Sequence, residues 1–291
     1  MSKIRQILFV PPAPLVWADH LGTYKQFGVE VETTLTLSSD QIGQGLAEGE
    51  WDIGLGAFDN VIAWNAERSA GLKIVAQLDR TIVMRFCCIP AYASLRDAAA
   101  NVIAVDSATN GFVLVLYRAL MRAGIDWKKC RFEPLGGVRQ RFEAMKAGKA
   151  AAAILVPPFD DMARAAGFKV LWKGEDIAAD YPGIAVAART DWIDENAETL
   201  SRYLAALLAA NAWAGQPANA AAARAALTAA RYSEPAADRL VREIVLGLRP
   251  SRAGWDEVVA LRRECGLLPD PAPDAGRIID TNLLERAQTR V

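Results

Sequence analysis

The sequence predicts an α/β protein made of two units, each a mostly parallel sheet flanked by helices. Strand-like and helix-like segments alternate from residue 3 to about residue 78, and again from residue 102 to about residue 167, which is the pattern of parallel strands joined by crossover helices. Loops rich in Gly, Pro, Ser or Asp follow most of the strands. After residue 189 the chain becomes helical and rich in alanine, so we expect closely packed helices there.

The first unit begins with an alternating strand that stops at Pro11 and Pro12, because a double proline ends strand pairing. Ser38, Ser39 and Asp40 precede the second helix, and side chains of these types accept hydrogen bonds from free helical N–H groups. The predicted strands of this unit are 3–10, 29–37, 51–55 and 72–78, and its predicted helices are 15–26, 41–47 and 60–69.

The second unit follows an apolar run from residue 83 to residue 89 that leads away from the first. Its strands are predicted at 102–106, 131–135 and 151–156, and its helices at 112–123, 140–147 and 160–166. One more strand is predicted at 184–188, and the helices after it at 195–213, 218–230, 235–246 and 255–265.

The composition excludes several classes of function. The 291 residues carry a formal net charge of −1, whereas a nucleic-acid-binding protein would show a basic excess or a basic stripe. The most apolar stretches are too short to span a bilayer. The cysteines, Cys87, Cys88, Cys130 and Cys265, show neither the spacing of a zinc site nor that of a disulfide framework. We therefore expect no metal, no cofactor, no nucleic-acid partner and no membrane span.

The first ten residues do not resemble a signal peptide. Their apolar part is shorter than the core of such a peptide, and no small-residue cleavage site follows it. We therefore expect a cytoplasmic protein from the chain as given, and a periplasmic one if its start is truncated.

The loops at the carboxyl ends of the strands are the predicted ligand site, because open α/β sheets bind ligands there. The segment Gly54-Leu55-Gly56 lacks the third glycine of a dinucleotide fingerprint. Asp59 and Asp106 follow strands and are interpreted as helix caps, with acid–base chemistry as the alternative. Arg139, close to Arg141, is a candidate for pairing with a ligand carboxylate, or else a surface arginine.

The histidine and the paired cysteines have open roles. His20 is the one histidine of the sequence and is expected on a solvated helix face, with a general base as the alternative. Cys87 and Cys88 lie between apolar neighbours, so we expect buried, inert thiols in a strand rather than a nucleophile.

Three segments resemble type II periplasmic (solute) binding proteins of ABC transporters. They read LAEGEWDIGLG (46–56), SLRDAAANVIAVDSATNGFVLVLYRALMRAGI (94–125) and LGGVRQRFEAMKAGKAAAAILVPPFDDMARAAGFKVL (135–171). Their order and spacing are similar to the NMT1/THI5-like branch, which includes sulfonate-binding (SsuA-like), nitrate-binding and taurine-binding proteins. The sequence departs from the family pattern at Asn101-Val102, where a Gly-Lys pair is usual, and at Ala151, where an aspartate is usual.

The resemblance implies the two-lobed type II periplasmic-binding-protein fold with two crossover strands. Lobe 1 is then 1–86 plus 188–291 and lobe 2 is 90–184, with hinges near 84–89 and 183–187. The family's ligand-binding loops fall on Pro12, Ser38, Ser39, Phe58, Asp59, Asn60, Asp106, Thr109, Asn110, Gly137, Arg139, Pro158 and Phe159.

Two functions follow from the resemblance. The first is a solute-binding protein that closes its lobes on a small, anionic or aromatic organic ligand and delivers it to an ABC permease. The alternative is an intracellular enzyme on the same fold, a lyase such as a decarboxylase, desulfinase or dehydratase of a small organic acid. The family's desulfinases use a cysteine in the loop that here is Pro11-Pro12-Ala13-Pro14, and this sequence has none there.

Overall fold

The computed structural model describes residues 2–80, 84–109 and 111–291, and its strands form two five-stranded sheets. The strands of the described residues, in chain order, are β1 Ser2–Leu8, β2 Val29–Leu35, β3 Ile53–Ala57, β4 Leu72–Gln77, β5 Arg85–Cys88, β6 Val102–Val105, β7 Arg131–Pro134, β8 Ala152–Leu155, β9 Lys169–Lys173 and β10 Ile184–Arg189.

Both sheets follow the same plan. The first has the order β2-β1-β3-β10-β4 and the second has the order β7-β6-β8-β5-β9. In the first, β1 is parallel to β2 and β3, and β10 is antiparallel to β3 and β4. In the second, β6 is parallel to β7 and β8, and β5 is antiparallel to β8 and β9. The predicted two-unit α/β fold is confirmed, and both sheets are mixed, because β10 and β5 run antiparallel to their neighbours.

Helices flank both sheets. They are α1 Ala13–Leu21, α2 Thr23–Gln26, α3 Ser39–Glu48, α4 Asn60–Arg68, α5 Leu95–Ala99, α6 Val113–Arg122, α7 Val138–Lys146, α8 Phe159–Ala165, α9 Gly174–Ile177, α10 Thr190–Glu195, α11 Ala197–Ala214, α12 Ala220–Ala229, α13 Glu234–Arg242, α14 Arg252–Glu264, α15 Ala275–Ile278 and α16 Asn282–Gln288. None of the helices in the described ranges is both long enough and apolar enough to cross a bilayer.

The glycines of β3 allow close packing of helices on the sheet. A Cβ at Gly54 would lie 2.7 Å from the Ile42 side chain of α3, and a Cβ at Gly56 would lie 3.1 Å from the Trp64 ring of α4. The Gly54-Leu55-Gly56 segment therefore brings α3 and α4 against the strand.

Three clusters of buried side chains form the core of the described residues. One cluster of buried side chains takes residues from both sheets, such as Ile7 of β1 and Ile103 of β6, and continues into α14 through Trp255 and Leu261. A second cluster packs α1, α11 and α12 on the other face of the first sheet. A third packs α7 and α8 on the second sheet. The first sheet and the second sheet are thus joined along one side by common packing.

The two segments predicted as hinges overlap with strands of the two sheets. Residues 85–88 are β5 of the second sheet, and residues 184–189 are β10 of the first. The first sheet therefore takes one strand from beyond the second unit. Thr81, Ile82 and Val83, in the first connection between the units, lie outside the described residues.

Candidate functional site

A cavity of about 140 Å³ lies between the two sheets. Residues from the first turn of α1 (Ala13), the first turn of α6 (Val113) and the first turn of α7 (Val138) line it. Helix N-termini carry free N–H groups and a partial positive charge, which favour an anion. Most of the remaining wall is apolar: Phe9, Val10, Ala57, Ala104, Val105, Phe112, Ile154, Val156, Pro157, Ile184 and Leu240.

Arg141 of α7 is a buried arginine in this wall. It is 6% exposed, and among the described residues its guanidinium makes no hydrogen bond. Its Nε is fully enclosed without an acceptor. Burial lowers the pKa of Arg141, and the charge of Asp106 opposes this change. A buried cation without hydrogen-bond acceptors costs stability, so this site favours an added anion.

Asp106 connects the second sheet to the first. It follows β6, and its carboxylate accepts hydrogen bonds at 3.2 and 3.3 Å from the backbone N–H of Ser39 in the first turn of α3. Burial raises the pKa of Asp106, and the hydrogen bonds from Ser39 oppose that rise. This carboxylate already occupies the N-terminus of α3.

Asp59 makes a second connection between the sheets. It follows β3, and its Oδ2 accepts a hydrogen bond of 2.8 Å from the N–H of Gly111, ahead of α6. Arg262 of α14 donates to both Asp59 oxygens, at 2.6 and 3.0 Å, and to the carbonyl of Thr109 at 3.3 Å. Asp59 stands at the N-cap position of α4 but makes no capping bond, so the interpretation of this side chain as a cap is wrong. The carboxylate is used by the Arg262 ion pair instead.

Asn60 lies in the cavity wall and keeps one polar atom without a partner. Its side chain is 3% exposed, and its Oδ1 accepts no hydrogen bond from the described residues. A Cβ at Gly111 would lie 2.8 Å from this oxygen. Phe58 beside it is a core residue with no exposed surface, and its N–H bonds the Gly183 carbonyl at 2.9 Å.

A further polar group lines the cavity where helix α13 approaches the first sheet. It contains Asp79, Arg239 and Tyr232. Burial raises the pKa of Asp79 to about 7, while the charge of Arg239 lowers it. The Tyr232 hydroxyl donates to the Pro11 carbonyl at 2.8 Å. None of the three residues was predicted, since nothing in the local sequence shows that these positions come together at the cavity.

Of the residues implied by the resemblance, Pro12, Asn60 and Asp106 line this cavity. A second, neighbouring cavity is lined by Arg139, Pro158 and Phe159, and Tyr232 belongs to the walls of both. The Arg139 guanidinium lies over the Phe159 ring at 5.9 Å from its centroid.

The other implied residues lie around these walls. Ser38 caps α3 by accepting from the Asp40 N–H at 3.2 Å, as its place before this helix predicts. A Cβ at Gly137 would lie 3.1 Å from the Phe9 ring in the cavity wall. Thr109 contributes its carbonyl to Arg262. Asn110 lies outside the described residues.

The thiols and the histidine lie outside the cavity wall. Cys87 and Cys88 are buried in β5, as predicted, and burial raises the pKa of Cys87 to about 12. His20 lies at the exposed end of α1 with its ring centroid 6.0 Å from that of Trp213. The residues that the structure describes contain no group of three or more His, Cys, Asp or Glu that could hold a metal ion.

Comparison with protein families identifies the chain. The model of the NMT1-like family matches residues 4–228. The chain belongs to the NMT1-like family. The resemblance predicted from the sequence is thus confirmed at the level of the family. No curated protein matches the chain.

Solved structures share the fold of this NMT1-like chain at low sequence identity. A protein of Bordetella bronchiseptica RB50 is 17% identical with a TM-score of 0.83, and the match covers 100% of this chain and 98% of that one. The alkanesulfonate-binding protein SsuA of Xanthomonas axonopodis pv. citri, bound to MOPS, is 17% identical with a TM-score of 0.75 over 96% and 99% of the two chains. A DszB mutant in complex with biphenyl-2-sulfinic acid is 12% identical with a TM-score of 0.70 over 100% and 99%.

Proposed function

We propose that this protein binds a small organic anion with an apolar body in the cavity between its sheets, as the solute-binding component of an ABC-type uptake system. The observation that carries the proposal is Arg141, a buried guanidinium without a hydrogen-bond acceptor among the described residues, in a wall that is largely apolar. An anionic head at Arg141 would supply the missing acceptors, and charge-assisted hydrogen bonds of this kind are among the strong ones.

The size and lining of the cavity indicate the rest of the ligand. A volume of about 140 Å³ is close to that of an engineered cavity of about 150 Å³ that binds benzene. The ligand is therefore of the size of one ring or a short chain. Apolar side chains surround it and would contribute through burial of its carbon atoms.

The family and the fold support a binding role. The matched family and the fold shared with SsuA are those expected of a two-lobed binder. We retain lobe 1 as 1–86 plus 188–291 and lobe 2 as 90–184, with β5 and β10 at the proposed hinges, because the other strands of the first sheet lie within 2–77 and those of the second within 102–173. The partner would be an ABC permease, and uptake would place the protein on the periplasmic side of the membrane.

A lyase acting on a small organic acid is the second candidate, and one observation favours it. Asp79 lies in the cavity wall and has a pKa of about 7, which suits a side chain that transfers protons at neutral pH. Product analysis after incubation with a bound acid distinguishes the two functions. Turnover that Asp79→Asn abolishes without loss of binding would favour the lyase.

The binding proposal is tested by a thermal-shift screen of small carboxylates, sulfonates and aromatic acids, followed by calorimetric titration of the hits. Arg141→Met should weaken binding by about 10- to 100-fold, because charge-assisted hydrogen bonds contribute about 1.5–3 kcal/mol. Arg139→Met is the matched control on the same helix. It replaces an exposed arginine outside the main cavity wall, and we expect affinity within about threefold of the unchanged protein.

The Arg141→Met variant also separates an effect on binding from an effect on folding. Arg141→Met removes a buried charge that no described residue hydrogen-bonds, which stabilises the fold, and it also removes the charge that lowers the pKa of Asp106, which destabilises it. Because these two effects oppose each other, Arg141→Met should unfold at a similar temperature while it binds less ligand. Unchanged affinity in Arg141→Met would contradict the proposed role of this residue.

A further inference from the structure

The cavity has a second guanidinium that lacks hydrogen bonds. Arg239 of α13 lines the wall, and its Nε and Nη2 find no acceptor among the described residues. Its ion pair with Glu243 is long, at 3.7 Å between Arg239 Nε and Glu243 Oε2. Arg239 therefore retains the capacity to bind a further anionic group.

The two cavity arginines belong to different helices that are far apart in the sequence. Arg141 lies on α7, beside the second sheet, and Asp106 is the charged group that acts on its pKa. Arg239 lies on α13, after the chain has returned to the first sheet, and the charges that act on its pKa are those of Glu243, Arg85, Glu175 and Asp160.

Apolar side chains line the same cavity as the two arginines. Val105 and Phe112 come from the second unit, and Ile184 and Leu240 come from the strand and helix that follow it. A ligand that matches this wall has an apolar middle and an acidic group at each end. A ligand with one acidic group would leave one of the arginines without an acceptor.

We propose that the ligand is an organic diacid, with one acidic group bound by Arg141, the other bound by Arg239, and an apolar spacer between them. This inference rests on the proposed function and names the chemical class of its ligand. It makes Arg239 the residue that distinguishes a diacid from a monoacid.

Asp79 adds a dependence on pH to this selection. Asp79 and Arg239 line the same cavity, so a second acidic group bound at Arg239 would approach the Asp79 carboxyl. Three groups influence the pKa of Asp79 besides its burial. Arg239 attracts the negative charge of its carboxylate, Glu243 repels that charge, and the Ile184 N–H donates a hydrogen bond to it. Tyr232 is the further titratable group near Asp79, and Arg80 adjoins it in the sequence. Because like charges repel, the diacid should bind better when Asp79 is protonated.

The test compares each monoacid with its diacid by calorimetric titration: benzoate with benzene-1,4-dicarboxylate, and hexanoate with hexanedioate. At pH 6 we expect the better diacid to bind at least about tenfold more tightly than its monoacid. Arg239→Met should remove this advantage and leave the affinity for the monoacid within about threefold. Arg242→Met is the matched control, since Arg242 is an exposed arginine on the same helix.

The pH dependence is the second measurement. Between pH 6 and pH 8 the affinity for the diacid should fall by about tenfold as Asp79 loses its proton, while the affinity for the monoacid stays constant. Asp79→Asn should remove the difference between the two pH values.

The failures of the two proposals are distinguishable. If the monoacids bind through Arg141 and the diacids bind no better, the proposed function stands and the diacid inference is wrong. If Arg239→Met weakens monoacid and diacid equally, the inference is also overturned, because Arg239 then does not select between them. If none of the four acids binds, the diacid inference is rejected, and the wider screen decides the proposed function.

Discussion

The ion pair between Asp59 and Arg262 should be one of the most sensitive points for the stability of this protein. Both side chains are almost completely enclosed, with exposures of 0% and 4%, and Arg262 also donates to the carbonyls of Leu267 and Thr109. Asp59 in turn accepts from the N–H of Gly111. The pair thus connects the loop after β3, the loop before α6 and helix α14.

Arg262→Met would leave the Asp59 carboxylate buried with one hydrogen bond from the described residues. Removing one partner of a buried ion pair costs about 3–5 kcal/mol, since the remaining charge is no longer compensated. A chain of 291 residues has an unfolding entropy of about 0.6 kcal/mol/K near 60 °C. The expected decrease in Tm is therefore about 5–8 °C. The double variant Asp59→Asn with Arg262→Met should lose less than the sum of the single variants.

Differential scanning calorimetry measures this decrease. The control is Arg252→Met, which removes the ion pair with Asp256 on the surface of the same helix, where the side chains are 77% and 59% exposed. Exposed pairs contribute about 0–1 kcal/mol, so the control should shift Tm by less than about 2 °C. Equal Tm values for Arg262→Met and Arg252→Met would refute the reasoning that burial makes the Asp59 pair strong.

Three further predictions concern titration, reactivity and packing. The pKa of Asp79 is about 7 in the folded protein, whereas its ordinary value is 3.8. The folded state therefore binds more protons than the unfolded chain between about pH 4 and pH 7. As a result, the free energy of unfolding falls as the pH rises through this window. Asp79→Asn should therefore raise the free energy of unfolding at pH 8 by about 2 kcal/mol, allowing for partial exposure of the side chain, and should have little effect at pH 4. Urea titrations at the two pH values measure this difference. Equal gains in stability at both pH values would argue against a raised pKa of Asp79. Iodoacetamide at pH 8 should label the partly exposed Cys130 of the native protein before Cys87, which is fully buried and has a pKa of about 12. Mass spectrometry of early time points measures the order of labelling. Preferential labelling of Cys87 would contradict the prediction. Gly43→Ala should lower the free energy of unfolding by about 1–3 kcal/mol, because the new Cβ would lie 2.4 Å from the buried Trp64 ring. An unchanged midpoint of urea denaturation would contradict this and show that the ring can move.

The sequence was sufficient to predict features that depend on local patterns. Ser38 was recognised as a cap because its residue type and its place before a helix are both local, and the structure has that bond. The alternation of strands and helices likewise predicted two α/β units. The role of Asp59 was not predictable in this way, since its partner, Arg262, is 203 positions away in the sequence.

The choice between Arg139 and Arg141 shows where local reasoning was incomplete. Both follow the glycines at 136 and 137, and residues two positions apart on a helix point in different directions. Val138, Arg141, Phe142 and Met145 recur at the spacing of one helix face, and all four are buried. A signal for a buried arginine was therefore present, but it required the start of α7 to be known within one residue.

The most direct test of the account is a crystal structure of the protein with a small organic acid found in the screen. We expect an acidic oxygen of the ligand within about 3.2 Å of an Arg141 nitrogen, with the carbon atoms of the ligand against the apolar side chains of the cavity. A ligand bound outside this cavity would contradict the proposed binding site. A ligand whose acidic group faces solvent, while Arg141 stays without an acceptor, would contradict the role of Arg141.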